Sequence, residues 1–171
     1  MFAAPRPADI LAGLRAGRVF AATGDLIDRL DFRLSSVRHP RRGAAMGDTL
    51  LLHPGDPLRV TIRLRPARKP NPGGHVPRLD HVDLILGSAI PGEDDHNPTT
   101  RLIRRFTARD WRREGDLLVV RYRLALQGRG YLRLRGTNTR QEEPAPDLAG
   151  EDPWQDLWFY ANPIYYRTRA R

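Results

Sequence analysis

Cysteine is absent from the 171 residues, which excludes disulfides, thiolate metal sites and thiol nucleophiles. A chain without cysteine suits either redox compartment. Lysine is almost absent too: Lys69 is the only one, so nearly all the basic charge is carried by arginine. No apolar run approaches the ~20 residues needed to span a bilayer as a helix, and the chain is expected to be soluble with no membrane partner. The opening Met1-Phe2-Ala3-Ala4-Pro5-Arg6-Pro7 lacks the basic-then-apolar profile of a secretory signal. Serine is limited to Ser35, Ser36 and Ser88, none within a nucleophile-elbow pattern. The nearest thing to a phosphate loop, Gln127-Gly128-Arg129-Gly130, lacks the lysine and the following helix, and is expected to form a hairpin turn.

What is present points to β structure. Fifteen Pro and fifteen Gly cut the chain into short runs, while 40% apolar residues still suffice for a core. The mean hydropathy of −0.56 is slightly polar for a folded domain. Ile10, Leu11 and Leu14 recur at helical spacing after Pro7, with Gly17 as a stop, which predicts a helix over about 7–16. Most of the remainder predicts strands: a short run within 18–23, a longer one over 26–34, then 49–53, 58–64, 79–86, 102–106, 117–126 and 130–136. A last strand over 158–166 is interrupted at Asn162-Pro163. Within 26–34, Leu26, Leu30, Phe32 and Leu34 point one way and Asp28 breaks the alternation. Turn chemistry such as His53-Pro54-Gly55-Asp56-Pro57 separates the runs. The expected architecture is a single antiparallel β-sandwich domain spanning 1–171, with a short N-terminal helix.

Charge placement matters more than the net +9. In Leu58-Arg59-Val60-Thr61-Ile62-Arg63-Leu64-Arg65, a strand would turn Arg59, Thr61, Arg63 and Arg65 to one face and the four aliphatic residues to the other. That basic face reads first as a solvated outer surface, with a dedicated anion site as the alternative. Trp111, Tyr122, Tyr131, Trp154, Trp158, Tyr165 and Tyr166, with many arginines nearby, make nucleic-acid binding the main non-enzymatic rival. An oligonucleotide-binding barrel would need both features on one sheet face. Against it, aromatics in a sandwich are mostly core, and Leu157-Trp158-Phe159-Tyr160 is apolar enough to predict a largely buried terminal strand.

The stretch from Leu14 to Asp28, with the phrase Arg18-Val19-Phe20-Ala21-Ala22-Thr23-Gly24-Asp25 at its centre, resembles a segment of the polymerase-and-histidinol-phosphatase (PHP) superfamily. There it is similar to the helix and first strand that follow the catalytic barrel in bacterial phosphoesterase-like members. His81-Val82-Asp83-Leu84-Ile85-Leu86-Gly87, Tyr131-Leu132-Arg133-Leu134-Arg135-Gly136-Thr137-Asn138 and Trp158-Phe159-Tyr160-Ala161-Asn162-Pro163-Ile164-Tyr165 point the same way. The resemblance implies a β-rich accessory domain serving stability, substrate presentation or assembly, with a PHP-type catalytic domain as partner. Catalytic members open with a His-x-His pair. Here His39, His53, His75, His81 and His96 include no such pair, so catalysis is not expected of this chain and no cofactor is expected.

Two acidic loops remain. The first contains Asp94, Asp95 and His96, with oxygen and imidazole donors that form the candidate metal site, and Asp80-His81 as possible additions. The calcium-loop spacing of an EF-hand is missing, and a solvated loop is the competing reading. The second, from Glu142 to Asp156, is acidic and Pro-rich. Six acids in one loop satisfy almost any two-carboxylate hydrolase geometry, so that signal specifies nothing.

Overall fold

In the computed structural model, residues 6–88, 99–140, 152 and 154–169 are described. The first element, α1, spans Pro7–Arg15. Pro at its start costs no hydrogen bond, and Asp9 and Arg15 complement the helix dipole at the two ends. Gly17, at φ 68°, ends it: the Arg18 N–H donates to the Gly13 carbonyl and the Gly17 N–H to that of Leu14, the paired bonds of a Schellman cap. Gly13 is the only residue of α1 that is buried.

Twelve strands follow among the described residues. They are β1 (Phe20–Ala22), β2 (Ile27–Ser36), β3 (Gly43–Ala45), β4 (Thr49–Leu52), β5 (Leu58–Pro66) and β6 (His81–Gly87). After these come β7 (Arg101–Thr107), β8 (Arg112–Glu114), β9 (Leu117–Leu124), β10 (Arg129–Thr137), β11 (Trp158–Ala161) and β12 (Ile164–Thr168). They form two sheets, one of five strands in the order β3-β2-β5-β9-β8 and one of seven. In the larger sheet β10 is the centre. One edge pairs with β6 (and β6 with β7), and the other pairs with β11 along its C-terminal part and with β12 along its N-terminal part. Asn162 and Pro163 lie between those two partners, so the last strand is one broken ribbon along β10. Strand β1 pairs with β11 and β4 with β12. Every described pair is antiparallel except β12 with β4, which is parallel.

Alternation drives this arrangement. Leu58, Val60, Ile62 and Leu64 of β5 are buried against Leu30, Phe32 and Leu34 of β2 and Val82, Leu84, Leu132, Leu134, Phe159 and Ile164 of the larger sheet. Each such side chain contributes roughly 1.5–3 kcal/mol of transfer free energy. The irregular Asp28 has a local cause: the β2–β5 register shifts between Ile27 and Arg29, a bulge that turns Asp28 outward while Leu26 and Ile27 both stay inside. Gln127 to Gly130 do not form a hairpin turn, contrary to the sequence expectation. Strand β9 lies in the five-stranded sheet and β10 in the seven-stranded one, so the connection between them is a crossover between sheets, with Gly128 at φ 71° accepting from the Thr168 N–H.

Candidate functional site: two charged outer faces

Strand β6 is buried on both faces, although only one faces the core. Its outward residues, His81, Asp83 and Ile85, are covered as completely as its inward ones. Asp83 stands between Arg105 of β7 and Arg135 of β10, its register partners on either side. Arg105 donates through Nε to Asp83 Oδ1 at 2.8 Å and through an Nη to Oδ2 at 3.0 Å, while Arg135 Nε reaches Oδ2 at 3.3 Å. His81, two residues back, brings Nε2 to 3.8 Å from Asp83 Oδ2 and bonds Asp80 Oδ2 through Nδ1 at 2.9 Å. Burial pushes the Asp83 carboxyl up, but the Arg105 hydrogen bonds and the charges of Arg105, His81 and Arg135 outweigh it and hold the group below its ordinary value. Trp158 flanks the cluster, with the Arg135 guanidinium 5.9 Å from its ring centre and Tyr160 stacked on it at 6.1 Å.

This cluster is built to be fixed. Its carboxylate accepts from two guanidiniums, so little remains to bind a metal, and no group of three His, Asp or Glu suited to a metal ion occurs among the described residues. Asp80 and His81 do meet, as one pair at the edge of the cluster. Asp94, Asp95 and His96 lie outside the described residues. An open cleft of about 510 Å³ adjoins the cluster, lined among others by His81, Arg105, Arg109 and Arg140. The Asp83 clamp was not anticipated; the available signal was a lone acid at an outward position of an otherwise apolar strand, His81-Val82-Asp83-Leu84.

The outer face of the five-stranded sheet is the second feature. The alternation in β5 is as expected, with Arg59, Thr61, Arg63 and Arg65 outward and their neighbours buried. Register places Ser35, Arg59 and Arg123 in one row, Arg33, Thr61 and Arg121 in the next, then Asp31, Arg63 and Val119. Charge is segregated along this face. Acids cluster toward one end, where Arg65 bonds Asp28 at 2.5 Å and Asp116 at 3.3 Å and Arg121 bonds Glu114 at 2.8 Å. Those guanidinium hydrogen bonds hold the Asp116 and Glu114 carboxyls below their ordinary values. At the other end Arg59 and Arg123 make no ion pair with any described residue.

Aromatics are distributed differently. Tyr122 turns inward and meets Phe106 edge-on at 5.6 Å, Tyr166 belongs to the core, and Trp111 packs against it. Tyr131 and Tyr165 pair on the seven-stranded sheet at 6.5 Å, and Trp158 and Tyr160 lie further along β10 on the same sheet. These aromatics and the Arg59 to Arg65 stripe are therefore on opposite sheets, and Arg129, Arg133, Arg135 and Arg167 share the aromatic face. Leu157, Trp158 and Phe159 are buried as expected, and Tyr160 is exposed.

A third surface belongs to α1. Ile10, Leu11 and Leu14 are 38%, 50% and 45% exposed, so the apolar stripe read from the sequence is not covered by the sandwich. The helix is attached mainly at its end, where the Gly17 carbonyl accepts from Asn162 Nδ2 at 3.1 Å and Arg18 approaches Asp48 at 3.7 Å. Among the described residues no helix is long and apolar enough to cross a membrane. No family model, curated protein or solved structure matches the chain.

Proposed function

We propose that the chain is a non-catalytic accessory β-sandwich domain, related to the segment that follows a PHP-type phosphoesterase barrel, and that it packs on a catalytic partner through α1. The observation that supports this reading is the apolar stripe Ile10, Leu11 and Leu14, held on a capped helix and left to solvent. Burying three such side chains against a partner would contribute several kcal/mol, at roughly 25 cal/mol per Å² of apolar area. The Asp83 clamp fits the same reading, since rigid ion pairing suits a scaffold better than turnover. The test is sedimentation of the chain with a PHP-type barrel domain. A stable complex that Leu11→Asp with Leu14→Asp abolishes, without changing the thermal midpoint of the isolated chain, is expected. No complex, or one indifferent to both substitutions, would overturn the proposal.

A second reading, an anionic-polymer or nucleic-acid binding module, is favoured by the charge segregation on the five-stranded sheet. It predicts DNA or RNA affinity that falls steeply with salt. Affinity that is absent at low salt would remove it.

A further inference from the structure

The outer face of the five-stranded sheet contains a notch of about 180 Å³ where β2, β3 and β5 meet the connection between β2 and β3. Arg33, Arg41 and Arg63 line it together with Ser35 and Thr61, and no carboxylate is among its described lining residues. Arg33 and Thr61 are register partners, Ser35 sits one row further along, and Gly43 pairs with Ser35 across the edge, so three strands set the positions. Among the described residues the two hydroxyls have no hydrogen-bond partner and Arg41 has no ion pair.

Two of the guanidiniums are held by Asp31, which shares their face of the sheet. Asp31 accepts from Arg33 Nε at 2.8 Å and lies 3.8 Å from Arg63, and its side chain is largely buried. A carboxylate that engages Arg33 through Nε leaves the two Nη groups of that fork for a second acceptor. The arrangement offers Arg33 and Arg63, both oriented by Asp31, an exposed Arg41 and two hydroxyl donors. Its lining carries three guanidiniums, against the single carboxylate of Asp31 beside it. A tetrahedral dianion answers this donor set: it has oxygens enough for several guanidinium contacts, and the volume admits one such group with the first atoms of its substituent.

We propose that this notch binds a phosphoryl group. The inference rests on the second functional reading of the same face and gives it a location. The phosphoryl group comes either from a small phosphorylated molecule or from a nucleic-acid backbone that continues over Arg59 and Arg123, the neighbouring row without acids. The sheet's lack of an outward aromatic there makes the contact one with phosphate rather than bases.

The experiment is a titration of the full chain with inorganic phosphate at constant ionic strength, followed by amide NMR at Ser35, Arg41, Gly43 and Thr61. It is repeated for Arg41→Ala with Arg63→Ala, and for Arg112→Ala on the same sheet as a control. Saturable shifts confined to the notch are expected, with affinity falling about tenfold or more in the double variant, as the loss of charge-assisted contacts implies, and unchanged in Arg112→Ala. A non-saturating response, or equal affinity in all three proteins, would overturn the site. A duplex oligonucleotide distinguishes the sources: competition with phosphate assigns the site to a nucleic-acid backbone, and phosphate binding without competition assigns it to a small phosphorylated ligand. Oligonucleotide binding that the double variant leaves intact, with no phosphate site, sinks the notch while the second reading stands. If neither probe binds, both fall.

Discussion

Asp83→Asn is the most informative single change to the fold. The side chain keeps its shape, but the amide carries two donors where the carboxylate has acceptors. Whichever way it turns, its nitrogen faces an Arg105 or Arg135 N–H that now donates to Asp83. The charge of both arginines also loses its counterion. Removing one member of a buried pair costs about 3–5 kcal/mol. Here Arg105 and Arg135 keep 26% and 13% of their side-chain surface in contact with solvent, which relieves part of the penalty and favours the lower figure, about 3 kcal/mol. For a chain of this size each kcal/mol lowers the thermal midpoint by about 2–4 °C, so a fall of about 6–12 °C is expected. Thermal and urea unfolding followed by circular dichroism measure it. Glu114→Gln, which breaks an exposed pair with Arg121, serves as the comparison and should show no resolvable change. A midpoint for Asp83→Asn within about 2 °C of the parent would refute the view that the clamp holds the larger sheet together.

Acidification should act through the same group. The folded Asp83 carboxyl titrates below the ordinary value of 3.8, so its contribution is complete at neutral pH and is lost as the pH falls through the folded value. Unfolding midpoints of the parent and of Asp83→Asn should therefore converge below about pH 4, and a constant gap down to pH 2 would contradict this. Gly47 has φ 85°, and a Cβ there would overlap the Ala16 carbonyl oxygen, so Gly47→Ala should cost about 2 kcal/mol or more in urea titrations. Truncation before Asp156 removes Leu157, Phe159, Ile164 and Tyr166 from the core, about 6–12 kcal/mol of burial, comparable to the whole stability of a domain. Such a chain should show no cooperative transition, and one that melts at the full-length midpoint would disprove the role assigned to β11 and β12.

The strands that alternate cleanly were legible. The apolar positions of β5 have period two between Pro57 and Pro66, and both its faces came out as read. The broken last strand was legible because Asn162-Pro163 removes a backbone donor in mid-run, and the structure uses that gap to change partners along β10. Strands β3 and β8 were not foreseen: at three residues each, Gly43–Ala45 and Arg112–Glu114 carry no alternation, and pairing with β2 and β9 alone creates them. Turn chemistry misled at Gln127 to Gly130, because glycine serves a crossover as well as a hairpin.

The charged sites were half legible. Which residues share a face follows from period two, so the Arg59 to Arg65 stripe could be named in advance. Which strand stands beside which depends on long-range pairing, and the notch needs β2, β3 and β5 together. The Asp83 clamp is less accessible still, since Arg105 and Arg135 lie 22 and 52 residues away in sequence and meet it only through sheet register.

The central claim is that this domain assists chemistry performed elsewhere. Metal content of the purified chain, combined with phosphoesterase turnover in added manganese or zinc, tests it most directly. The account predicts no stoichiometric metal and no turnover above the uncatalysed rate. Bound metal together with hydrolysis, lost on substitution of Asp80, His81, Asp94, Asp95 or His96, would contradict it.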